Sequence, residues 1–412
     1  MYDAIVVGAR CAGSPTAMLL ARKGYRVLLV DRAGFPSDTL STHYIHQPGV
    51  ARLERWGLLN QVAATNCPPV GKLTFDVGPF ALTGVPPAAD GVTVAYAPRR
   101  FLLDQILLEA AAAAGVEVRE RFSVEDVLTD ETRVTGIRGR AGGGGAVTER
   151  ARIVVGADGM RSFVARAVRA PIYHARPGRT CAYYTYWSGL SLDGAELYPR
   201  DGHNIITGPT NDGQAIVLAY WPKAAFRRVR ADIERHFLEA IDIVPSLAAR
   251  LRAGERSDRF YGTADLPFFF RKPYGPGWAL VGDAGYHKDP ITAEGISDAF
   301  RDAELLADAI DAGFCSRRPL EEALADYEQE RNGTAIPIYE FTHELAALEP
   351  PTPEMKALFG ALRDDPAQTN RFFGTIAGTV PMADFFGPEN VAMILGGAGE
   401  SQRERDQVLV PG

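Results

Sequence analysis

A glycine-rich turn lies between two apolar segments near the start of the chain. Residues 8–13 read GARCAG and follow the apolar run AIVV. A turn of the GxGxxG type, placed between a strand and a helix, presents backbone amides to a pyrophosphate, so this segment is a candidate anion site. Arg10 replaces the middle glycine, and its side chain must either turn outward or place its guanidinium on the phosphate. The sequence leaves both arrangements open.

An acidic residue follows this turn at the spacing expected of a nucleotide site. Asp31 lies 18 residues after Gly13, at the end of the predicted second strand, and Arg32 comes next. A carboxylate at this place can accept hydrogen bonds from both ribose hydroxyls and would repel a 2′-phosphate. We therefore predict a nucleotide with an unphosphorylated adenosine ribose. The alternative is a βαβ turn that binds no ligand.

Two later segments again place a glycine and an acid directly after an apolar strand. Residues 156–162 read GADGMRS, and residues 282–290 read GDAGYHKDP. Ligands of open α/β sheets gather beyond the carboxyl ends of the strands, which makes Asp283 a candidate ligand contact. Asp158 and Arg161 can also be interpreted without a ligand. Asp158 would then only hold its own turn through its side chain, and Arg161 would be a solvated cation.

The three segments, in this order, resemble the signatures of the FAD-dependent aromatic hydroxylase and geranylgeranyl reductase superfamily. By that resemblance, Asp283 accepts a hydrogen bond from the flavin ribityl chain. Asp158 and Arg161 then belong to the turn beneath the cofactor, and Arg100 reaches the FAD linker. The predicted FAD contacts, taken together, are Gly8, Arg10, Gly13, Asp31, Arg32, Arg100, Asp158, Arg161, Gly282, Asp283, Pro290 and Gly295.

The resemblance also implies how the flavin ring is held. It places Pro290 beside the ring and Gly295 against the isoalloxazine. We expect Thr292 to cap a helix over about residues 293–310. The positive end of that helix would stabilise the anionic reduced ring.

Hydrophobic periodicity predicts the elements that position these residues. The first thirty residues read as a strand–helix–strand unit, a helix follows over 101–114, and a β meander over 116–155 has a hairpin tip at 142–145. Strands rich in tyrosine and tryptophan fill residues 171–270. We predict an α/β protein: a Rossmann-like FAD-binding domain of the glutathione-reductase-like flavin fold with an inserted antiparallel β-rich substrate domain.

The predicted domains are discontinuous because the apolar strand and helix pattern resumes after the tyrosine-rich strands. The predicted division is residues 1–70, 95–170 and 271–335 for the FAD-binding domain, 71–94 and 171–270 for the substrate domain, and 336–412 for a C-terminal helical segment.

The resemblance implies an FAD-dependent monooxygenase that hydroxylates or epoxidises an aromatic or polyketide-like small molecule. Molecular oxygen would form a flavin hydroperoxide, which must be shielded from water. No second glycine fingerprint follows a strand, so we expect NAD(P)H to visit the flavin transiently or a partner flavin reductase to supply the electrons. The alternatives are a flavin-dependent reductase that saturates prenyl double bonds and a non-catalytic flavin-binding carrier.

Aromatic residues are candidates for the substrate pocket. Strand alternation puts Tyr183 and Trp187 on one face and Tyr184 and Tyr186 on the other, so at most one pair can face a cavity. Such walls suit a hydrophobic aromatic or polyene substrate. The alternative is ordinary core packing, and the alternation does not decide which pair faces inward.

Histidines are candidates for a general base, because neutral imidazole titrates in the range that removal of a phenol proton needs. His46 and His287 are the two that we select. Together with the position beside the ring, the predicted catalytic residues are His46, His287, Pro290 and Tyr184. Lys288 lies outside the motif in which flavin-dependent halogenases of the superfamily carry a lysine, which disfavours halogenation.

Composition limits the classes of partner. The 412 residues carry a formal charge of −7 without a long block of either sign, so a nucleic-acid surface is not expected. The four cysteines form no CxxC or Cys/His cluster, and we expect neither a metal site nor a disulfide framework. No apolar stretch reaches about 18 residues and no signal peptide is visible, so we expect a cytoplasmic protein without a membrane span.

Overall fold

The computed structural model of the chain describes residues 1–142 and 144–396. The strands, in chain order, are β1 (Tyr2–Val7), β2 (Val27–Val30), β3 (Leu73–Asp76), β4 (Ala81–Gly84), β5 (Glu117–Arg119), β6 (Phe122–Thr129), β7 (Val134–Ala141), β8 (Ala146–Gly156), β9 (Ile172–Arg176), β10 (Thr180–Ser188), β11 (Ala195–Arg200), β12 (His203–Pro209), β13 (Gln214–Pro222), β14 (Glu255–Arg256), β15 (Tyr261–Thr263), β16 (Phe268–Arg271), β17 (Tyr274–Gly275), β18 (Trp278–Leu280) and β19 (Tyr286–His287).

The α-helices alternate with these strands and then dominate the last quarter of the chain. In chain order they are α1 (Gly13–Arg22), α2 (Gln47–Arg55), α3 (Leu59–Ala63), α4 (Arg100–Ala113), α5 (Phe163–Ala167), α6 (Phe226–Ala231), α7 (Ile233–Asp242), α8 (Pro245–Ala253), α9 (Gly295–Phe314), α10 (Leu320–Leu345), α11 (Pro353–Leu362), α12 (Pro366–Ala377) and α13 (Met382–Phe386).

Parallel strands form the centre of the first sheet, whose main order is β17-β18-β8-β1-β2-β5. Val7 of β1 is in register with Val30 of β2 and with Gly156 of β8. Gly156 is in turn in register with Leu280 of β18. The carboxyl ends of four neighbouring strands therefore lie side by side. The three glycine-and-acid turns begin at this edge.

Apolar side chains cover both faces of this sheet, as expected of a parallel sheet. On one face α1, α4 and α9 pack against it, with Leu29 and Leu107 fully enclosed in one core cluster. On the other face α5 and the β6–β7 hairpin enclose Val154 and Ile137. The predicted pairing of β7 with β8 forms. Gly143, one of the residues of the predicted tip, lies outside the described residues.

The prediction that Thr292 caps the helix before the flavin is wrong. The chain makes a short 3₁₀ turn over Pro290–Thr292, and Ala293 then adopts a left-handed conformation with φ of 57°. The helix consequently starts only at Gly295, and the side chain of the preceding Glu294 accepts no capping hydrogen bond from the helix. The Thr292 hydroxyl lies 3.1 Å from the Thr342 hydroxyl of α10 instead.

The second sheet is almost entirely antiparallel, in the order β14-β10-β13-β12-β11-β3-β4. Strand β3 joins it from early in the chain through a parallel pair with β11. Helices α6, α7 and α8, which the sequence had not indicated, cover its outer face and pack on Tyr183 and Trp187. The two sheets confirm the predicted α/β class, with a Rossmann-like part and an antiparallel β-rich part.

The remaining helices join the two sheets. Helix α10 runs unbroken through residues 335 and 336, where the sequence division places a domain boundary. Helices α11 to α13 pack beside β3, where Phe75 contacts Phe359 and Phe372 edge to face. Residues 388–396 are helical as well. Among residues 1–142 and 144–396, no helix combines the length and the apolar character that crossing a bilayer requires.

Candidate cofactor and substrate site

A cavity of about 1280 Å³ opens at the carboxyl edge of the parallel strands. Gly8, Asp158 and Asp283, one residue from each predicted turn, all line it. Its volume exceeds the roughly 300–1,000 Å³ of common small-molecule sites, as an extended ligand requires. The predicted FAD contacts that line the cavity are Gly8, Arg10, Asp31, Arg32, Arg100, Asp158, Arg161, Gly282, Asp283, Pro290 and Gly295.

Two glycines of the first turn are required by its geometry. Gly8 has a φ of +105°, and a Cβ there would lie 2.4 Å from the carbonyl oxygen of Ala157. A Cβ on Gly13 would lie 1.7 Å from the carbonyl oxygen of Gly8. Gly13 therefore serves the close approach of helix α1 to the turn, outside the cavity lining, which is the packing role of the third glycine in such fingerprints.

Asp31 is held in place by the backbone around it. Its carboxylate accepts hydrogen bonds from the amides of Ala9 and Ala33, each at 2.7 Å. Each carboxylate oxygen keeps a further lone pair for another donor. Because Asp31 also lines the cavity, these features fit a carboxylate that receives ribose hydroxyls.

Arg10 takes a third arrangement, in which its guanidinium joins the glycine turn to α4. Its Nη1 lies 2.5 Å from Oδ2 of the fully buried Asp104, and its Nη2 donates to Oγ of Ser37 at 2.9 Å. Arg100 binds the same carboxylate at 2.9 Å. Burial alone would lower the pKa of Arg100, but Asp104 raises it above its usual range.

The guanidinium groups of Arg10 and Arg100 thus share the single carboxylate of Asp104. Together the three side chains give this wall of the cavity one net positive charge. Arg10 and Arg100 both line the cavity beside the glycine turn. Guanidinium groups bind phosphate oxygens through paired N–H donors. The wall consequently fits the pyrophosphate of a dinucleotide.

Asp158 holds its own turn. Its carboxylate accepts hydrogen bonds from the Ser162 hydroxyl at 2.5 Å and from the amides of Phe163 and Val164 at 2.6 Å and 3.2 Å. Burial raises the pKa of Asp158, against the lowering effect of these donors. Arg161 is largely exposed and pairs with Asp265. Both residues border the cavity, and both also have the structural roles that the sequence left open.

The end of the cavity that faces α9 has the features of a flavin site. Gly295 is the first residue of α9 and lines the cavity, so the free amides of the first helical turn lie at its wall. Pro290 belongs to the preceding turn, in which Asp289 accepts a hydrogen bond from the Ile291 amide at 3.0 Å. The Thr180 hydroxyl donates to the same carboxylate. Burial raises the pKa of Asp289 to about 6.

The second sheet covers this end of the cavity. Ala182, Tyr184, Leu218 and Tyr220, on neighbouring strands β10 and β13, line it. Tyr183 and Trp187 point to the opposite face. Of the two aromatic pairs, the one with Tyr184 and Tyr186 is therefore on the inner face, and Tyr184 is its member that lines the cavity. The sequence had not indicated Leu218 and Tyr220, although strict alternation in QAIVLAYW puts both on one face.

The histidines differ in position. His287 lines the cavity, stacks on Phe269 and lies with Nδ1 2.5 Å from the carbonyl oxygen of Pro267. His46 lies outside the lining, with Nε2 3.1 Å from the carbonyl oxygen of Thr292. Burial lowers the pKa of His46 to about 4.

A second, small cavity of about 50 Å³ lies beside the first. Leu218 and Thr42 border both cavities, and His46 borders only the small one. The other walls are almost entirely apolar and include Leu197 and Ile206 of the second sheet. The inner face of that sheet is thus continuous from one cavity to the other.

Lys288, although it lines the large cavity, is not a free amine. It is buried and forms an ion pair with the equally buried Asp298 of α9. Arg301 binds the other oxygen of Asp298 at 2.7 Å. The lysine is therefore part of a buried charge network behind the flavin end.

Comparison with known proteins agrees with this geometry. The family model described as FAD binding domain matches residues 1–342. Digeranylgeranylglycerophospholipid reductase 1 of Methanococcoides burtonii is 26% identical over 350 residues, covering 81% of this chain and 80% of that protein. Phenazine 1,6-dicarboxylic acid hydroxylase PhzS of Lysobacter antibioticus is 28% identical over 411 residues, covering 87% and 95%.

A solved structure supports the fold independently. The flavin-dependent brominase Bmp2 superposes with a TM-score of 0.81 at 19% identity, over 98% of this chain and 99% of that one. Similarity at this level of identity concerns the fold alone. The family match covers the glycine turn, both later turns and α9, which together line the cavity. The chain therefore belongs to the FAD binding domain family and is an FAD-dependent oxidoreductase of the aromatic hydroxylase and geranylgeranyl reductase superfamily.

Proposed function

We propose that the protein is a monooxygenase that inserts one oxygen atom of O₂ into an aromatic or polyketide-like small molecule. The second oxygen atom leaves as water, and NAD(P)H or a partner flavin reductase supplies the two electrons. When bound, FAD supplies the two-electron reduction and the activation of oxygen.

One observation carries this proposal. The cavity that holds the glycine turn and Asp31 continues, without a dividing wall, to a roof formed by Tyr184, Leu218 and Ala182. These side chains would exclude water from the flavin end and offer apolar and aromatic contacts to a planar substrate. Hydroxylation by flavin needs such exclusion, because otherwise reducing equivalents are lost to oxygen as peroxide.

We assign proton transfer from the substrate to His287. It is the one of the two selected histidines that lines the large cavity, and its Nδ1 faces the Pro267 carbonyl, so that Nδ1 carries the proton and Nε2 accepts. A carbonyl partner of this kind fixes the tautomer that a base requires. Removal of a phenol proton in the course of the reaction typically contributes about 10²–10⁴-fold to the rate.

A second candidate is the saturation of prenyl double bonds. The similarity to a digeranylgeranylglycerophospholipid reductase and the apolar second cavity favour it.

The test compares these functions on the FAD-loaded protein. NADPH oxidation and oxygen uptake are followed with 2-naphthol and with geranylgeraniol, each aerobically and anaerobically, with and without an added flavin reductase. A monooxygenase consumes NADPH and oxygen in equal amounts with 2-naphthol and forms a hydroxylated product. Oxygen-independent reduction of geranylgeraniol would overturn the proposal in favour of saturation, and the absence of NADPH and oxygen consumption with 2-naphthol would contradict it.

A further inference from the structure

Tyr220 has a buried hydroxyl without a hydrogen-bond partner among the described residues. The side chain is fully enclosed, yet Tyr220 lines the large cavity beside Leu218. A buried hydroxyl normally finds a partner, because leaving it unsatisfied costs free energy. At the wall of a cavity, such a hydroxyl is a candidate partner for a polar atom of a ligand.

Other fully buried tyrosines of this chain show the usual behaviour. The Tyr327 hydroxyl donates to the carbonyl oxygen of Leu280 at 2.9 Å, and the Tyr186 hydroxyl lies 2.5 Å from His43. Tyr339 likewise donates to a backbone carbonyl. Tyr220 departs from this pattern where the sheet faces the cavity. Ordinary core packing accounts for the three other tyrosines and leaves the hydroxyl of Tyr220 unexplained.

The surroundings of Tyr220 add a second unsatisfied polar atom. Asn204 lies directly opposite Tyr220 on β12, so both side chains are on the same face of the sheet. The Oδ1 atom of Asn204 is buried and also lacks a partner. An unsatisfied hydroxyl and an unsatisfied amide oxygen therefore lie on neighbouring strands of this face, and of the two residues only Tyr220 lines the large cavity.

The charge state of the phenol is set by its environment. Burial, followed by the neighbouring Asp289 carboxylate, raises the pKa of Tyr220 well above its usual range. The hydroxyl therefore stays protonated and acts as a hydrogen-bond donor at physiological pH. It can serve an acceptor oxygen of a ligand.

We propose that Tyr220 is a positioning and specificity residue, whose hydroxyl donates a hydrogen bond to an oxygen atom of the aromatic substrate. The inference rests on the proposed function in that it assigns the substrate to the large cavity. It deepens that function by naming a class: aromatic compounds with a phenol or carbonyl oxygen are bound in preference to the corresponding hydrocarbons. A site built to bond such an oxygen rejects analogues that lack it.

The test uses a matched pair of probes of similar shape, 2-naphthol and 2-methylnaphthalene. Binding to the FAD-loaded protein is read from the perturbation of the flavin absorption spectrum. We expect the wild type to bind 2-naphthol at least about tenfold more tightly, and Tyr220→Phe to remove most of that preference. Tyr183→Phe, on the outer face of the neighbouring strand, is the control and keeps the preference.

Two outcomes would overturn the inference: a wild type without a preference for 2-naphthol, including one that binds neither probe, and a Tyr220→Phe variant that retains the preference. The wild-type comparison needs no substitution, so it remains decisive even if a variant folds poorly. Oxygen uptake and NADPH oxidation test the proposed function separately. Catalytic inactivity with an intact, Tyr220-dependent binding preference would reject the function and leave the inference standing.

Discussion

The guanidinium of Arg10 lies 2.5 Å from the buried carboxylate of Asp104, so the glycine turn after β1 is joined directly to helix α4. The arginine stands where dinucleotide fingerprints carry a glycine, and its partner is 94 residues away in the sequence. Arg100 completes the cluster from the first turn of α4. The cluster fixes the shape of the wall on which the pyrophosphate is expected to lie.

Asp104→Asn is expected to destabilise the protein strongly and to weaken FAD binding. The substitution leaves two guanidinium groups without their shared carboxylate, and breaking a buried ion pair in this way costs about 3–5 kcal/mol. The measurements are the free energy of unfolding and the flavin content after purification.

The control for this change is Asp193→Asn, because Asp193 pairs with Lys72 on the surface with 86% of its side chain exposed. An exposed pair contributes about 0–1 kcal/mol. Equal losses of stability in the two variants would contradict the role that we assign to Asp104.

Gly8→Ala is expected to abolish FAD binding. The backbone at residue 8 has a positive φ that an alanine adopts only with strain, and the new Cβ would lie 2.4 Å from the carbonyl oxygen of Ala157. Gly24→Ala is the matched control: Gly24 has a φ of +92° with no atom within 4 Å of the added Cβ. Gly24→Ala should therefore lower the free energy of unfolding only by the cost of the left-handed backbone conformation, about 1–2 kcal/mol, and the variant should keep its flavin. Retained flavin absorbance in Gly8→Ala would show that the turn does not contact the cofactor.

Glu294→Gln is expected to stabilise the protein increasingly as the pH rises. Burial, and then the nearby Asp298, raise the pKa of Glu294 to about 8, although Lys288 and Arg301 oppose the shift. The folded state thus binds a proton that the unfolded state releases above its ordinary pKa of 4.5. Glu294 stabilises below that value, and its contribution is lost as the pH rises towards 8.

The measurement is the difference in unfolding free energy between Glu294→Gln and the wild type from pH 4 to pH 9. It should grow between about pH 4.5 and 8, by at most about 1.4 kcal/mol per pH unit, and then level off. Glu54→Gln, on an exposed part of α2, should show no such rise. A difference that is constant with pH would contradict the assignment. The pair of variants separates Glu294 from the other groups that titrate in this window.

His46→Asn is expected to leave the shape of the pH–rate profile unchanged. Because burial lowers the pKa of His46 to about 4, the imidazole is neutral from pH 5.5 to 9 and contributes no ionisation there. NADPH oxidation with 2-naphthol over this range is the measurement. His287→Asn should instead lower kcat by about 10²-fold or more with phenolic substrates. A changed profile in His46→Asn alone would return the role of base to His46.

The sequence was sufficient to bring the three predicted turns to one cavity because the local pattern at each turn is tied to the carboxyl end of a parallel strand. Gly8, Asp158 and Asp283 needed no further information to be placed at one edge, and all three line one cavity. Their exact contacts depend on more distant parts of the chain. The ion pair between Arg10 and Asp104 is one such contact. A charged residue beside the apolar stripe of α4 did indicate that Asp104 has a buried partner, but not which one.

Other features needed the tertiary structure. Helix α7 has apolar residues at helical spacing, but the tyrosine-rich strands around it favoured an all-β interpretation of the whole region. Thr292 was a reasonable cap by residue type, and only the left-handed Ala293 moves the helix start beyond its reach. The orphan hydroxyl of Tyr220 is a property of packing, and residue order alone contains no trace of it.

Helices α6, α7 and α8 cover one face of the second sheet, so alternate residues of β10 and β13 have different surroundings. Odd-numbered residues of β10 and β13 pack against these helices, whereas Ala182, Tyr184, Leu218 and Tyr220, at even-numbered positions, line the large cavity. Exchanges at Ala182 or Leu218 can consequently reshape the large cavity, and exchanges at Ile216 the small one, while the helices on the outer face keep the strands paired. Substitutions at these inner-face positions of the second sheet can therefore change which ligand binds, without any change in the parallel sheet and the turns that bind the nucleotide.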